Sequence, residues 1–227
     1  MNEGDTSTGP SFELGKPIWG IGLALVLRSE TNSVRQGDII YVPTYQYNIL
    51  SADTPLRVIK PDPEVPLSAY LTVLGMPGQT AFYGLELIGA PKSGETIYVS
   101  AGAGAVGSLV AQLAKAKGLK VIASAGSDEK TDRVEDVLAR EGPIDIYWDH
   151  IGGPQLEYAE PSSAFNNAPP YHVKNLAEIL YKRLRFLNTL TPLVKNGKIL
   201  WKEQAFSGIQ SVNEAIVAAL TGNNTGK

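Results

Sequence analysis

The chain has 227 residues, 43% of them hydrophobic and 19% charged, with a formal net charge of −3, which is room for one large domain or two small ones of ordinary globular composition. The slight negative charge argues against nucleic acid or an anionic membrane as main partner, and no stretch reaches the about 20 apolar residues of a membrane-spanning helix. Cysteine is absent and the histidines are two, His150 and His172, so disulfides and thiol catalysis are excluded, and too few ligands remain for a catalytic zinc. Residues 1–10 are polar and lack the apolar run of a signal peptide, which makes the cytoplasm the expected compartment.

In chain order, residues 20–27 read as a strand, Gln36-Gly37-Asp38 as a turn and residues 39–42 as the next strand, with a further strand at 56–59. Tyr45 and Tyr47 bracket Gln46 after a strand, where aromatics are more often packing than proton donors; Tyr47 is kept as a catalytic candidate. Pro61, Pro63 and Pro66 mark a boundary, because each removes a donor and biases the residue before it away from helix. Helices are expected at 66–74 and 80–88. Residues 96–100 then form a continuous apolar strand suited to a buried parallel sheet. Residues 105–117 form an amphipathic helix with Val106, Leu109, Val110, Leu113 and Ala114 on one side, ended by Gly118. Residues 120–123 are the next strand, completing a βαβ unit. A third strand spans 144–149. Residues 176–186 read as an apolar helix running into the basic end Lys182, Arg183 and Arg185.

Between the first strand and helix of that unit lies Gly102-Ala103-Gly104-Ala105-Val106-Gly107, a G-x-G-x-x-G pattern in the strand–turn–helix setting it requires. Gly102 allows the tight turn, Gly104 lets the backbone approach a pyrophosphate, and Gly107 lets helix and strand pack closely. The N–H groups at the helix start, from Ala105, Val106 and Gly107, face the phosphates. The plain alternative is a Gly-rich βα turn without a ligand. An NAD site places an acid about 20 residues past the motif. Here the second strand ends Ser124-Ala125-Gly126-Ser127 with no acid at its tip; Asp128 and Glu129 come slightly later, and Lys130 follows. A small loop with a cation suits a 2′-phosphate, so NADP(H) is the expected cofactor; the alternative leaves Lys130 as a solvated charge. Ligands of such folds sit beyond the carboxyl ends of the strands, which puts His150 near a nicotinamide or makes it a hydrogen-bonded structural histidine.

The runs Leu74-Gly75-Met76-Pro77-Gly78-Gln79-Thr80-Ala81, Ser100 to Ser108, Ala125-Gly126-Ser127-Asp128-Glu129-Lys130, Ile144 to Gly153 and Gly222-Asn223-Asn224-Thr225-Gly226-Lys227 closely resemble the zinc-independent medium-chain dehydrogenase/reductases. The nearest branch is the alkenal double-bond reductases and prostaglandin reductases. The resemblance implies an α/β fold: a doubly wound Rossmann sheet in residues 65–194 and a GroES-like β domain, incomplete in this chain, from residues 1–64 and 195–227. It implies NADPH-dependent reduction of the carbon–carbon double bond of enones or enals, with Lys130 on the 2′-phosphate and Asn224 on the nicotinamide side. It leaves a homodimer open.

Departures from the family pattern stand beside these matches. The family's asparagine before Gly-Gly is His150 here, and its substrate-orienting tyrosine aligns with Phe165, which cannot donate a hydrogen bond. A helix and strand between Lys130 and Thr131, and another strand near Glu160, look absent, and Thr191-Pro192 looks like a shortened join. Loss of sheet strands would force the rest to re-pair or expose backbone groups; interruptions of the chain are therefore expected near 130–131, 159–161 or 190–192. A truncated paralogue that binds NADP(H) or a protein partner without turnover is the alternative.

Overall fold

The structure is a computed structural model. It describes residues 15, 20–43, 47–54, 56–125, 131–141, 143–152 and 176–221, with only the helical backbone at 131–135 and 176–184. The chain divides into two compact units, Met1–Pro63 and Glu64–Lys227.

The first unit is an antiparallel meander of β1 (Ile21–Leu25), β2 (Ile39–Pro43) and β3 (Arg57–Ile59), in the order β1-β2-β3. The expected turn is present: Gly37 takes φ 91°, and its N–H donates to the Val26 carbonyl. Alternation sends Val26, Ile40 and Val42 to a core with Val34, while Ile21 and Leu25 on the opposite parity stay exposed. The Arg57 guanidinium lies 4.0 Å over the Tyr41 ring.

The second unit opens on a single 3₁₀ turn, Leu67–Tyr70, where a helix over 66–74 was expected. Gly75 ends that segment in an extended conformation, φ −101° and ψ −150°, and helix α1 (Met76–Tyr83) starts directly after it with Pro77 in its first turn, where a missing N–H costs nothing. Helix thus begins before residue 80, and its continuation Gly84–Gly89 widens to i→i+5 bonding before Ala90 closes it at φ 40°.

A parallel sheet follows, built from β4 (Thr96–Val99), β5 (Lys120–Ala123) and β6 (Ile146–Trp148) in the order β5-β4-β6. The helices are α2 (Gly107–Ala116) between β4 and β5 and α3 (Thr131–Glu141) between β5 and β6. All four β4 residues are buried, as a central strand covered on both faces requires. β4 is the first Rossmann strand, β5 the second and β6 the fourth, so the order 2-1-4 of a doubly wound sheet is kept. One helix bridges β5 to β6 and sends Leu138 into a core with Tyr98 and Ile144. Among the described residues β5 and β6 each pair on one side only.

Helix α4 (Leu176–Lys195) overruns its expected end at residue 186 and passes through Thr191 and Pro192, so no interruption falls at residues 190–192. Pro192 is exposed, and its missing N–H frees the carbonyl of exposed Asn188, which water can satisfy. What holds the helix together is the stripe Phe186, Leu190 and Val194, all buried at i, i+4 and i+8. Phe186 meets Phe82 of α1 edge-on at 5.7 Å. Gly197, at φ 64°, ends the helix. The other two expected interruptions lie outside the described residues. The last helix is α5 (Val212–Leu220). No helix of the described residues is long and apolar enough to cross a membrane.

Candidate functional site

The glycine pattern forms the turn from β4 into α2, and its glycines meet different surroundings. At Gly102 a Cβ would lie 2.7 Å from the Ala123 Cβ, and the Gly102 N–H donates to the Ser124 carbonyl at 2.6 Å. The glycine therefore lets the turn lie against the end of β5. At Gly107 a Cβ would overlap the Ala101 carbonyl, so this glycine seats the helix on the turn. Gly104 differs: its Cβ would meet only Ala101, with the carbonyl at 3.1 Å, and the residue is exposed. Space beside it opens outward, which is what close approach of a ligand needs. Ala101 itself is left-handed at φ 50°.

The start of α2 carries no side-chain cap. The N–H groups of Ala105 and Val106 have no acceptor among the described residues. Unsatisfied donors at a helix start attract anions, so the turn fits a pyrophosphate on its own geometry. Gly126, Ser127 and Lys130, which would extend the site to a 2′-phosphate, lie outside the described residues, as do Tyr45, Phe165, His172 and Asn224. Tyr47 is described and 78% exposed.

Beside the turn, the ends of β4 and β6 join through a polar network. Ser100, fully buried, accepts from the His150 backbone N–H at 2.8 Å and lies 3.1 Å from Asp149 Oδ1 and 3.3 Å from the Trp148 carbonyl. Asp149 Oδ1 also accepts from the Tyr147 hydroxyl at 2.8 Å and from the N–H groups of Ile151 and Gly152 at 3.0 and 2.9 Å. Burial pushes the Asp149 carboxyl up, but the Gly152 and Ile151 donors, with Tyr147 and Ser100, outweigh it and hold the carboxyl below its ordinary value. Tyr147 moves the other way, raised by burial and by its bond to the carboxylate. Tyr147 stacks on Tyr98 at 5.1 Å, and the Tyr98 hydroxyl reaches Ser124 Oγ at 3.1 Å. All three strand tips are thus tied together where the turn begins.

His150 sits in this network, exposed, its ring accepting from the Trp148 indole N–H at 2.6 Å. Ser100, Asp149, Tyr147 and Trp148 were not singled out by sequence. A signal existed: each apolar strand ends in a polar residue, and the register Val99↔Trp148 sets Ser100 beside Asp149.

No family model matches the chain. It is 34% identical over 269 aligned positions to a zinc-type alcohol dehydrogenase-like protein of Schizosaccharomyces pombe, covering 96% of this chain and 77% of the relative. It is likewise 34% identical to a 2-alkenal reductase (NADP(+)-dependent) of Nicotiana tabacum, covering 96% of this chain and 78% of the relative. To prostaglandin reductase 1 of Bos taurus it is 30% identical, covering 96% of this chain and 82% of the relative. An alignment of 269 positions against a chain of 227 residues means that the relative carries more than forty positions without a counterpart here. Among solved structures, CurA of Vibrio vulnificus in complex with NADPH superposes at TM-score 0.72 with 23% identity, covering 91% of this chain and 78% of that one.

Proposed function

Because the chain belongs to the medium-chain dehydrogenase/reductases, in the branch of alkenal double-bond reductases and prostaglandin reductases, we propose that it is an NADPH-dependent reductase of the carbon–carbon double bond of α,β-unsaturated carbonyl compounds. The observation that carries the reading is the turn after β4. It combines the open side of Gly104 with two N–H groups at the start of α2 that have no acceptor among the described residues. In this reading residues 1–64 and 195–227 make up a GroES-like β domain, and 65–194 the Rossmann domain.

When bound, NADPH supplies the hydride for the β-carbon of the enone or enal. Gly102, Gly104, Ala105, Val106 and Gly107 hold the pyrophosphate. Gly126, Ser127 and Lys130 take the 2′-phosphate, with Lys130 as its counter-charge. His150 and Asn224 stand on the nicotinamide side. The enolate oxygen that develops needs a hydrogen-bond donor. Phe165 offers none, so a hydroxyl or solvent supplies it, and a proton from such a source reaches the α-carbon. NADPH consumption against a panel of enones and enals tests the activity. NADPH is expected to bind at least tenfold more tightly than NADH, and Lys130→Ala to weaken NADPH far more than NADH. Equal losses for both cofactors would remove the 2′-phosphate assignment.

A second reading is a paralogue that binds NADP(H), or a protein partner, without turnover. The aligned positions missing here favour it. NADPH binding without consumption across the whole panel is its signature.

A further inference from the structure

We propose that Asp149 is a positioning residue for the nicotinamide half of the cofactor site, its carboxylate shaping the turn at Ile151 and Gly152 that follows β6. The proposal deepens the NADPH reading and rests on it for its functional meaning. The place comes from topology. The order β5-β4-β6 puts β5 on one side of β4 and β6 on the other. The connections therefore reverse between β4 and β6, and a dinucleotide lies across the carboxyl ends of the strands at such a point. The glycine turn leaves β4 and lies against the end of β5, where the Gly102 N–H meets the Ser124 carbonyl. That leaves the tip of β6 to the other half of the ligand.

Three consecutive backbone N–H groups follow Asp149, and all three are engaged by the polar network. That of His150 donates to Ser100 Oγ at 2.8 Å, and those of Ile151 and Gly152 donate to Asp149 Oδ1 at 3.0 and 2.9 Å. The Tyr147 hydroxyl reaches the same oxygen at 2.8 Å. An oxygen that gathers this many donors is a carboxylate oxygen, whose charge strengthens each bond. Ile151 is 55% exposed, and Gly152 stands at φ 67° in the left-handed region. Little packing holds the turn, so the carboxylate is what shapes it. The base on which the turn rests is fixed: Ser100 is fully buried, and the Trp148 ring lies so close to Gly84 that a Cβ there would overlap it.

The two turns thus differ in what they offer. At the start of α2 the N–H groups of Ala105 and Val106 have no acceptor among the described residues, which suits a phosphate. After β6 the N–H groups of residues 150–152 are already bonded. This turn does not compete for the pyrophosphate, and it meets the uncharged dihydronicotinamide half through the shape of its backbone. Without the charge on Asp149 the Ile151 and Gly152 N–H groups are held less firmly, and that shape loosens.

Amide hydrogen exchange in the free protein reads the turn directly. The Ile151 and Gly152 amides should be protected in the wild type and exchange faster in Asp149→Asn, which keeps the shape of the side chain and removes its charge. Titrations with NADPH and with adenosine 2′,5′-bisphosphate, which lacks the nicotinamide, read the positioning. Asp149→Asn should raise the Kd for NADPH about tenfold, the worth of one hydrogen bond, and leave the Kd for the bisphosphate unchanged. A merely structural Asp149 would lower Tm without moving the two Kd values apart. Equal changes for both ligands, or none, overturn the proposal and leave the NADPH reading in place, as do unprotected Ile151 and Gly152 amides in the wild type. A wild type that binds neither ligand overturns the NADPH reading itself. Should Asp149→Asn fail to fold, Tyr147→Phe decides, since it removes one donor from the same oxygen and keeps the ring stacked on Tyr98. The same split between the two ligands, at about threefold, upholds the proposal, and its absence overturns it.

Discussion

The glycine turn allows a paired test, since Gly104 and Gly107 belong to one motif and meet opposite surroundings. Gly107→Ala drives a methyl into the Ala101 carbonyl, which is backbone and must shift. Such overpacking costs about 1–3 kcal/mol, and the better helix propensity of alanine returns less than about 1 kcal/mol. A net loss of about 1–2 kcal/mol lowers Tm by about 2–8 °C for a domain of this size. Gly104→Val puts its Cβ 3.1 Å from the same carbonyl and otherwise into open space. Its stability should stay within about 0.5 kcal/mol of wild type. Its NADPH affinity should fall at least tenfold, about 1.4 kcal/mol, because the valine fills the approach that a pyrophosphate needs. Thermal melts followed by circular dichroism read the first effect, and titration of NADPH fluorescence the second. A folded Gly104→Val chain that binds NADPH as tightly as wild type would refute the assignment of this turn to the pyrophosphate.

Ser100→Ala removes a buried hydroxyl that serves the His150 N–H and Asp149; urea unfolding should show a loss of about 2 kcal/mol, the cost of stranding such groups. The depressed Asp149 carboxyl contributes stability that is complete above its unfolded value, about 3.9, and is lost as the pH falls through the lower native one. Asp149→Asn should therefore destabilise the chain at neutral pH, with the difference from wild type closing in melts run on the acid side of that window. Phe186→Ala should cost about 3–5 kcal/mol, measured by urea unfolding, since the ring is fully buried between α1 and α4. Exchanging Glu141 for Gln breaks the exposed pairs with Lys120 and Arg140 and should shift Tm little.

What was legible follows from what is local. The turn at 102–107 is written in consecutive residues, with its strand before it and its helix after it, so its place and the close packing at Gly102 and Gly107 could be read directly. The polar network was not local: Ser100 and Asp149 lie 49 positions apart and meet only because β4 and β6 pair in parallel with Val99 opposite Trp148. Gly84 and Trp148 meet through packing alone, and no spacing rule announces a glycine that makes room for a distant indole. Helix ends were the least legible. Pro192 reads as a stop, yet buried Leu190 and Val194 carry α4 through it. Proline costs one backbone bond at an exposed carbonyl, which water replaces, whereas ending the helix earlier would forfeit the apolar contacts of the next turn.

The sheet carries that argument one step further. The expectation was that strands lost relative to the family would force re-pairing or expose backbone groups. The three described strands keep the doubly wound order: β4, the most buried, has a partner on each side, and α3 falls between β5 and β6 with Leu138 on the stacked Tyr98. Among the described residues β5 pairs on one side only, and such an edge can be solvated. The burial pattern agrees, since β5 is exposed at Lys120 and Ala123 and half-buried between them. The described part of the sheet brings the tips of β4 and β6 together beside the glycine turn. That juxtaposition sets the polar network of Ser100 and Asp149 beside the glycine turn.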